Sequence, residues 1–197
     1  MPYHPNYFKG GEGHRKGCDI RLGAIRSCIK KGSLLDLGCS EGYFSFGLSN
    51  ECDPVIAIDN VEENIQKCKE YGRSSYISHI TFKVGDIISY VRSLPDDFYF
   101  QNILYMSVHH HLLAQHGSDV GEEILYRLSE RCSSMFFDMG QKNEKGCLGY
   151  AWWKALPDIN PDDYVKSLFD KTKFTKICPI CSTLVHGAQR KLWLAGK

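Results

Sequence analysis

The sequence predicts an α/β domain built on a mostly parallel sheet, and three observations carry that prediction. Residues 34–49, LLDLGCSEGYFSFGLS, read as a buried strand, a tight glycine turn and the opening turns of a helix. Downstream, short apolar runs of strand character alternate with segments of helical period, the pattern of β-α-β units. The last two strand-like runs are joined by CPICSTLVHGAQR, which is too short for a crossover helix, so they predict an antiparallel hairpin.

Composition bounds the rest. The chain has 197 residues, 43% hydrophobic and 24% charged, which suits one domain over residues 1–197 with a sizeable core. Its formal net charge of +1 lacks the basic footprint of a nucleic-acid binder. No stretch approaches the ~20 apolar residues of a membrane helix. The polar N-terminus carries no apolar signal core. Nine cysteines without framework spacing complete the picture of a reduced, cytoplasmic protein with no membrane insertion.

Taken in order, residues 1–14 read as an N-terminal arm, either a plain tail or a lid carrying Tyr3, Tyr7, Phe8 and His14. Residues 15–31 predict a helix with Ile20, Ala24, Ile25, Cys28 and Ile29 on one face and Gly32 as its C-cap. Arg21, on that helix among apolar neighbours, reads as an ion-pairing residue. Strands follow at residues 54–58, 79–84, 98–106 and 133–139, and helices at 61–72, 118–132 and 161–171. Residues 140–161 form an irregular segment long enough to imply function. Tyr150, Trp152 and Trp153 mark it as a substrate-side insertion with one helical turn around the tryptophans. Short strands at 174–177 and 191–194 make the closing hairpin. Cys178 and Cys181 form a lone C-x-x-C. Zinc wants four ligands, and only His186, with the distant Cys147, stands by. The pair therefore reads as incidental, and no metal site is predicted.

The glycine turn narrows the ligand. A dinucleotide turn needs a second glycine for backbone approach to a pyrophosphate, and here Ser40 occupies that place, followed by Glu41. A phosphate-rich ligand is disfavoured, and an NAD-dependent oxidoreductase with it. Acids end the strands instead. Asp59 lies about 20 residues past the turn, where an acid takes ribose hydroxyls, and Asp86 follows the next strand. The fourth strand runs into Ser107, Val108 and three histidines, His109, His110 and His111.

LDLGCSEG, Asp59, Asp86 and MSVHHH together resemble class I S-adenosylmethionine-dependent methyltransferases. The middle glycine of the first motif is replaced by Ser40. The resemblance covers nearly the whole chain and implies a Rossmann-like fold, a seven-stranded mostly parallel sheet of order 3-2-1-4-5-7-6 with the last strand antiparallel. It implies S-adenosyl-L-methionine as cofactor, with contacts from Asp36, Gly38, Cys39, Gly42, Asp59, Asn60, Asp86, Ile87 and Met106. Asp86 would face the adenine amino group and Ile87 the ring. The histidines occupy the family's fourth motif, beside the methyl group, which implies His110, or His109 beside it, as the catalytic group. A closer likeness is to a bacterial branch that terminates O-antigen polysaccharide chains, some members of which methylate a terminal phosphate. The resemblance thus implies polysaccharide biosynthesis and a small-molecule or glycan acceptor, methylated at a hydroxyl or a phosphate oxygen. Tyr7, Arg15, Arg21, Trp152 and Trp153 are its expected contacts, with Lys16 and Lys142 as further cations. A hydroxyl acceptor needs a base, for which a histidine serves; a phosphate needs none. A chain that binds the cofactor without catalysis, as a partner or regulatory subunit, is the alternative.

Overall fold

The computed structural model describes residues 17–197. The described residues form a sheet of seven strands: β1 (Gly32–Leu37), β2 (Cys52–Asp59), β3 (Ile80–Val84), β4 (Phe100–Met106), β5 (Cys132–Asp138), β6 (Lys176–Val185) and β7 (Ala188–Gly196). The order is β3-β2-β1-β4-β5-β7-β6. The first five strands are parallel, and β7 runs antiparallel to both β5 and β6. This is the architecture the resemblance implied.

Alternation along the central strands explains why both faces are covered. Leu35 and Leu37 of β1, Ile103 and Tyr105 of β4 and Met135 and Phe137 of β5 join one apolar cluster. The residues between them, Leu34, Leu104, Met106 and Phe136, join the other. A parallel sheet with two apolar faces needs helices on both. Helices α1 (Cys18–Cys28), α2 (Tyr43–Gly47) and α3 (Glu62–Ser74) cover the second face. Helices α4 (Ile87–Ser93), α5 (His109–Glu130), α6 (Ala151–Ala155) and α7 (Pro161–Phe169) cover the first. Each Leu, Ile or Phe so enclosed contributes about 1.5–3 kcal/mol.

Several elements depart from the sequence reading. Helix α1 buries Cys18, Arg21, Leu22 and Ile25, whereas Ile20 is exposed. The buried stripe is rotated toward Arg21, which finds a partner in the core. Gly32 opens β1 instead of capping the helix. Helix α5 starts at His109, not at Ser118, and breaks at Gly117, where φ is 83° and ψ 172°. The histidines are thus the first turn of a helix. Helix α4 was not foreseen; Asp86 caps it, accepting from Ser89 N at 2.8 Å. The hairpin strands are much longer than expected and meet at a two-residue turn, His186–Gly187. Both turn residues have positive φ, at 47° and 81°, as the tight turns of hairpins require. Cys178 and Cys181 therefore lie within β6, not in a loop.

At the N-terminal end of the sheet, Asn102 is fully buried. Its Nδ2 donates to the Lys30 carbonyl at 2.7 Å, and its Oδ1 accepts from Lys30 N at 3.3 Å and Ser134 Oγ at 3.0 Å. One amide thus latches the α1–β1 link to β4 and β5. Asn102→Leu leaves those groups unpaired, at about 1–3 kcal/mol per group. Urea titration should show a lowered midpoint at unchanged slope, and an unmoved midpoint would refute the latch.

Candidate active site

The C-terminal ends of the strands form one continuous edge. Leu37 pairs with Ile58 and Tyr105, Asp59 with Val84, and Met106 with Asp138. Beyond these pairs lie the Gly38–Gly42 turn, Asp59, Asp86, Ser107 and Asp138. The turn is held by backbone bonds, Gly38 N and Cys39 N both donating to Ile58 O at 2.8 and 3.0 Å. Asp59 tightens it further: Oδ2 accepts from Ser40 N at 2.8 Å and Oδ1 from Val61 N at 2.9 Å. Gly38 has φ 75°, and a Cβ there would lie 2.5 Å from Val108 Cγ2. Only glycine lets the turn approach the head of α5.

The expected cofactor residues divide by accessibility. Asp59 is nearly buried, whereas Asn60 and Asp86 are exposed at the rim and Ile87 is half-buried. Cys39 and Met106 are enclosed in the core. Asp36 is buried under the turn, where its Oδ2 accepts from Ser45 Oγ at 2.6 Å. Burial, opposed by that hydrogen bond and reinforced by the charge of Asp59, pushes the Asp36 carboxyl up to about 7. Glu41 accepts from Lys67 Nζ at 3.0 Å on one oxygen; the other is buried and, among the described residues, without a partner. Acids at the ends of three consecutive strands, with Ser40 and Glu41 in the turn, suit a cationic ligand bearing ribose hydroxyls. They do not suit a phosphate. S-adenosylmethionine fits this donor set.

The other half of the edge is organised by a buried ionic network. Asp138 at the end of β5 accepts from Arg21 Nη1 at 2.8 Å and, on its other oxygen, from Ser107 N and Oγ at 2.9 and 2.8 Å. Arg190 of β7 donates to Ser107 Oγ at 3.1 Å and grips Glu144 with Nε and Nη2 at 2.9 and 2.7 Å. Arg21, Asp138, Glu144 and Arg190 are all buried. Burial raises the Asp138 carboxyl, but Arg21 and Arg190 outweigh it and hold the group below its ordinary value. Arg21, an expected acceptor contact, pairs with Asp138 in the core. The pattern missed Glu144 and Arg190. The signal for Arg190 is period two: Ala188, Arg190 and Leu192 face inward together on β7.

Because they open a helix, the three histidines point in three directions. His109 is fully buried between Tyr105 and Phe137, with Nδ1 3.3 Å from Tyr105 Oη, and burial lowers it to about 4. This position packs the ring into the core. His111 is exposed. His110 lies between, edge-on to Trp152 with ring centroids 4.7 Å apart. Its Nδ1 accepts the Gly140 N–H at 3.0 Å, so in the neutral ring the proton sits on Nε2. Burial, then the neighbouring His111 and Arg190, pushes His110 down to about 2. A Cβ on Gly140 would lie 2.5 Å from Trp152 and 2.9 Å from His110, so glycine is needed for this stack.

The insertion holds a short 3-10 turn at Lys145–Cys147 and helix α6. Trp152 is buried on His110 and stacks on the exposed Tyr150 at 6.1 Å. Trp153 is tied to Lys142: its Nε1 donates to the Lys142 carbonyl at 2.8 Å, and Lys142 Nζ lies 4.0 Å from its ring centroid. Gly140, Gln141, Lys142, Ile159 and Tyr164 line a groove. Tyr7, Arg15, Lys16 and the arm at residues 1–14 lie outside the described residues. Neither Cys178 nor Cys181 joins a cluster of potential metal ligands among the described residues.

Residues 29–114 match the family described as a methyltransferase domain. Two Escherichia coli proteins, each named O-antigen chain terminator bifunctional methyltransferase/kinase WbdD, are similar in sequence. One is 29% identical over 126 residues, covering 64% of this chain and 17% of the relative. The other is 26% identical over 162 residues, covering 82% and 22%. The chain therefore spans about a fifth of these relatives' length. A crystal structure of WbdD superposes with a TM-score of 0.78 at 22% identity, over 100% of this chain and 43% of that one. Magnesium protoporphyrin IX methyltransferase from Synechocystis PCC 6803, solved with bound SAM, superposes at 0.65 and 13% identity, over 91% and 77%. No described helix is long and apolar enough to cross a membrane.

Asp36 makes a pH dependence checkable. The unfolded carboxyl ionises near 3.8 and the folded one near 7. The folded state alone keeps the proton between those values, so the contribution of Asp36 to stability is full below the lower value and declines as pH rises through the window. Asp36→Asn, which keeps the acceptor for Ser45, should flatten that decline in melting temperatures measured from pH 4.5 to 7.5. A decline as steep as in the parent chain would refute the assignment.

Proposed function

We propose that this chain, which carries an S-adenosylmethionine-dependent methyltransferase domain, transfers the methyl group to an oxygen that is already ionised, such as the terminal phosphate of a glycan. The observation that carries this reading is the Gly140 N–H bond to His110 Nδ1. It leaves His110 as a hydrogen-bond donor through Nε2, and a group held down to about 2 takes up no proton at neutral pH. His109 is enclosed in the core, and Asp36 lies buried under the turn. A hydroxyl acceptor would need a base, which among the described histidines of this edge leaves the exposed His111, whereas a phosphate oxygen needs none. The relatives' names join a methyltransferase to a kinase, the class of activity that makes a terminal phosphate.

S-adenosylmethionine, when bound, supplies a methyl group activated on a sulfonium. The chain's own residues position and shield. Asp59 keeps lone pairs for the ribose hydroxyls beside its bonds to Ser40 and Val61. Asp86 spends Oδ1 on Ser89, which leaves Oδ2 for the adenine amino group, with Ile87 against the ring. Trp152 and Tyr150 screen the donor from water with aromatic faces. The His110 Nε2–H and Lys142 offer an anionic oxygen a hydrogen bond and a counter-charge. Tyr7 and Arg15 are proposed acceptor contacts on the sequence alone. Holding two reactants in line supplies about 7–11 kcal/mol of the barrier, without proton transfer.

The test uses labelled S-adenosylmethionine with matched oligosaccharides, phosphorylated and not. Label should enter only the phosphorylated one, with a rate that is flat above pH 7. His110→Ala should cut turnover about tenfold or more, by loss of a hydrogen bond to a charged group, and leave S-adenosylhomocysteine affinity unchanged. Asp59→Ala should weaken that affinity by about tenfold or more. Methylation of the unphosphorylated glycan, with activity rising through a group near 6.5, would overturn the reading.

A further inference from the structure

We propose that Glu144, Cys147 and His186 form a binding site for a divalent metal ion of the zinc class, which fastens the hairpin turn to the insertion. One ligand atom from each residue lies within 4.8 Å of the others. The three atoms are an oxygen, a sulfur and a nitrogen. That mixture suits zinc and its neighbours in the first transition row; calcium and magnesium take oxygen.

The chain is built to bring these groups together. Glu144 and Cys147 are three residues apart at the 3-10 turn Lys145–Cys147, where side chains at that spacing eclipse. Both are fully buried. His186 arrives from the β6–β7 turn. Gly146 packs directly against it: a Cβ there would stand in ordinary contact, 3.4 Å from His186 Cβ and 3.6 Å from its Nδ1. Gly146 N also donates to the His186 carbonyl at 3.5 Å. The left-handed backbone of the turn is served as well by Asn or Asp, so the turn alone does not call for an imidazole. Outside the three ligands, Arg190 and Gln141 N orient the Glu144 carboxylate, the kind of outer-shell support that metal-bound carboxylates carry. A tetrahedral ion would keep its fourth position for water or an incoming anion. The C-x-x-C of β6 takes no part.

An ion here would tie the edge hairpin to the segment that carries Glu144, Gly140 and Trp152. The inference does not depend on the chemistry of the acceptor. The full chain, stripped with chelator, is titrated with Co²⁺ and followed by absorption. One equivalent should bind with the near-ultraviolet band of a thiolate–cobalt bond and be displaced by Zn²⁺. Cys147→Ser should remove the band, and the double variant Cys178→Ser, Cys181→Ser should keep it. His186→Asn, which preserves the left-handed turn and alters an exposed residue, should weaken Co²⁺ binding by about tenfold or more. Absence of the band in the parent chain, its survival in Cys147→Ser, or parent affinity in His186→Asn would each overturn the site. Should Cys147→Ser fail to fold, His186→Asn decides alone.

Discussion

A carboxylate buried at the end of the central strand β5 is the constraint on which the active edge depends. Asp138 is 1% exposed, and a charge there is tolerable only if it is paired and hydrogen-bonded. Arg21 comes from α1, Arg190 from β7, and Ser107 from the end of β4. Two cations on one acid would leave a surplus, and Glu144 takes up the second arginine. The result is two positive and two negative charges joining five separated segments. Removing a single member would strand a buried charge, at about 3–5 kcal/mol. Replacing the whole set by apolar residues would cost far less, so the network argues for fixed geometry and not for stability. Ser107 shows the same thing locally: it sits at φ 57°, a strained value for serine, held there by bonds to Asp138.

From this anchor the chemistry of His110 follows. Met139 and Gly140 leave β5 directly after Asp138, so fixing that carboxylate fixes the Gly140 peptide. The Gly140 N–H then selects the tautomer of His110, and the missing Cβ lets Trp152 close over the ring. A histidine read from sequence is a candidate acid or base. The same histidine with Nδ1 occupied by a backbone N–H and its ring buried is a neutral donor. A hydrogen bond from a peptide N–H to the imidazole therefore bears on a choice that the residue type alone leaves open.

Much of the fold was legible because its signals are local. The glycine turn, the apolar runs and the strand-ending acids each occupy a few consecutive residues, and the family resemblance supplied the strand order. The failures share a physical origin in long-range pairing. Arg21 and Asp138 are 117 residues apart, and Glu144 and Arg190 are 46 apart. Nothing within a helical turn of Arg21 reveals its partner, so the apolar pattern chose the stripe containing Ile20. The histidines were set at a strand end because MSVHHH follows an apolar run without a conventional cap. Val108 in fact provides no side-chain cap at all. Arg190 was the recoverable miss, since an arginine in phase with Ala188 and Leu192 on an inward face implies a buried acid.

The edge divides electrostatically. Over β2 and β3 the ends carry Asp59 and Asp86, an arrangement that favours a cation and repels an anion. Over β4, β5 and β7 the buried charges of the described residues pair with one another, and beside them lie the buried His110 and Trp152 and the half-buried Trp153 and Lys142. An anionic acceptor would meet repulsion over the first half and none over the second. Gly38 and Val108 mark the boundary, packed so closely that a single methyl group would not fit between them. On the proposed reading, a cationic donor over the first half and an anionic acceptor over the second would meet across that contact, as in-line methyl transfer needs.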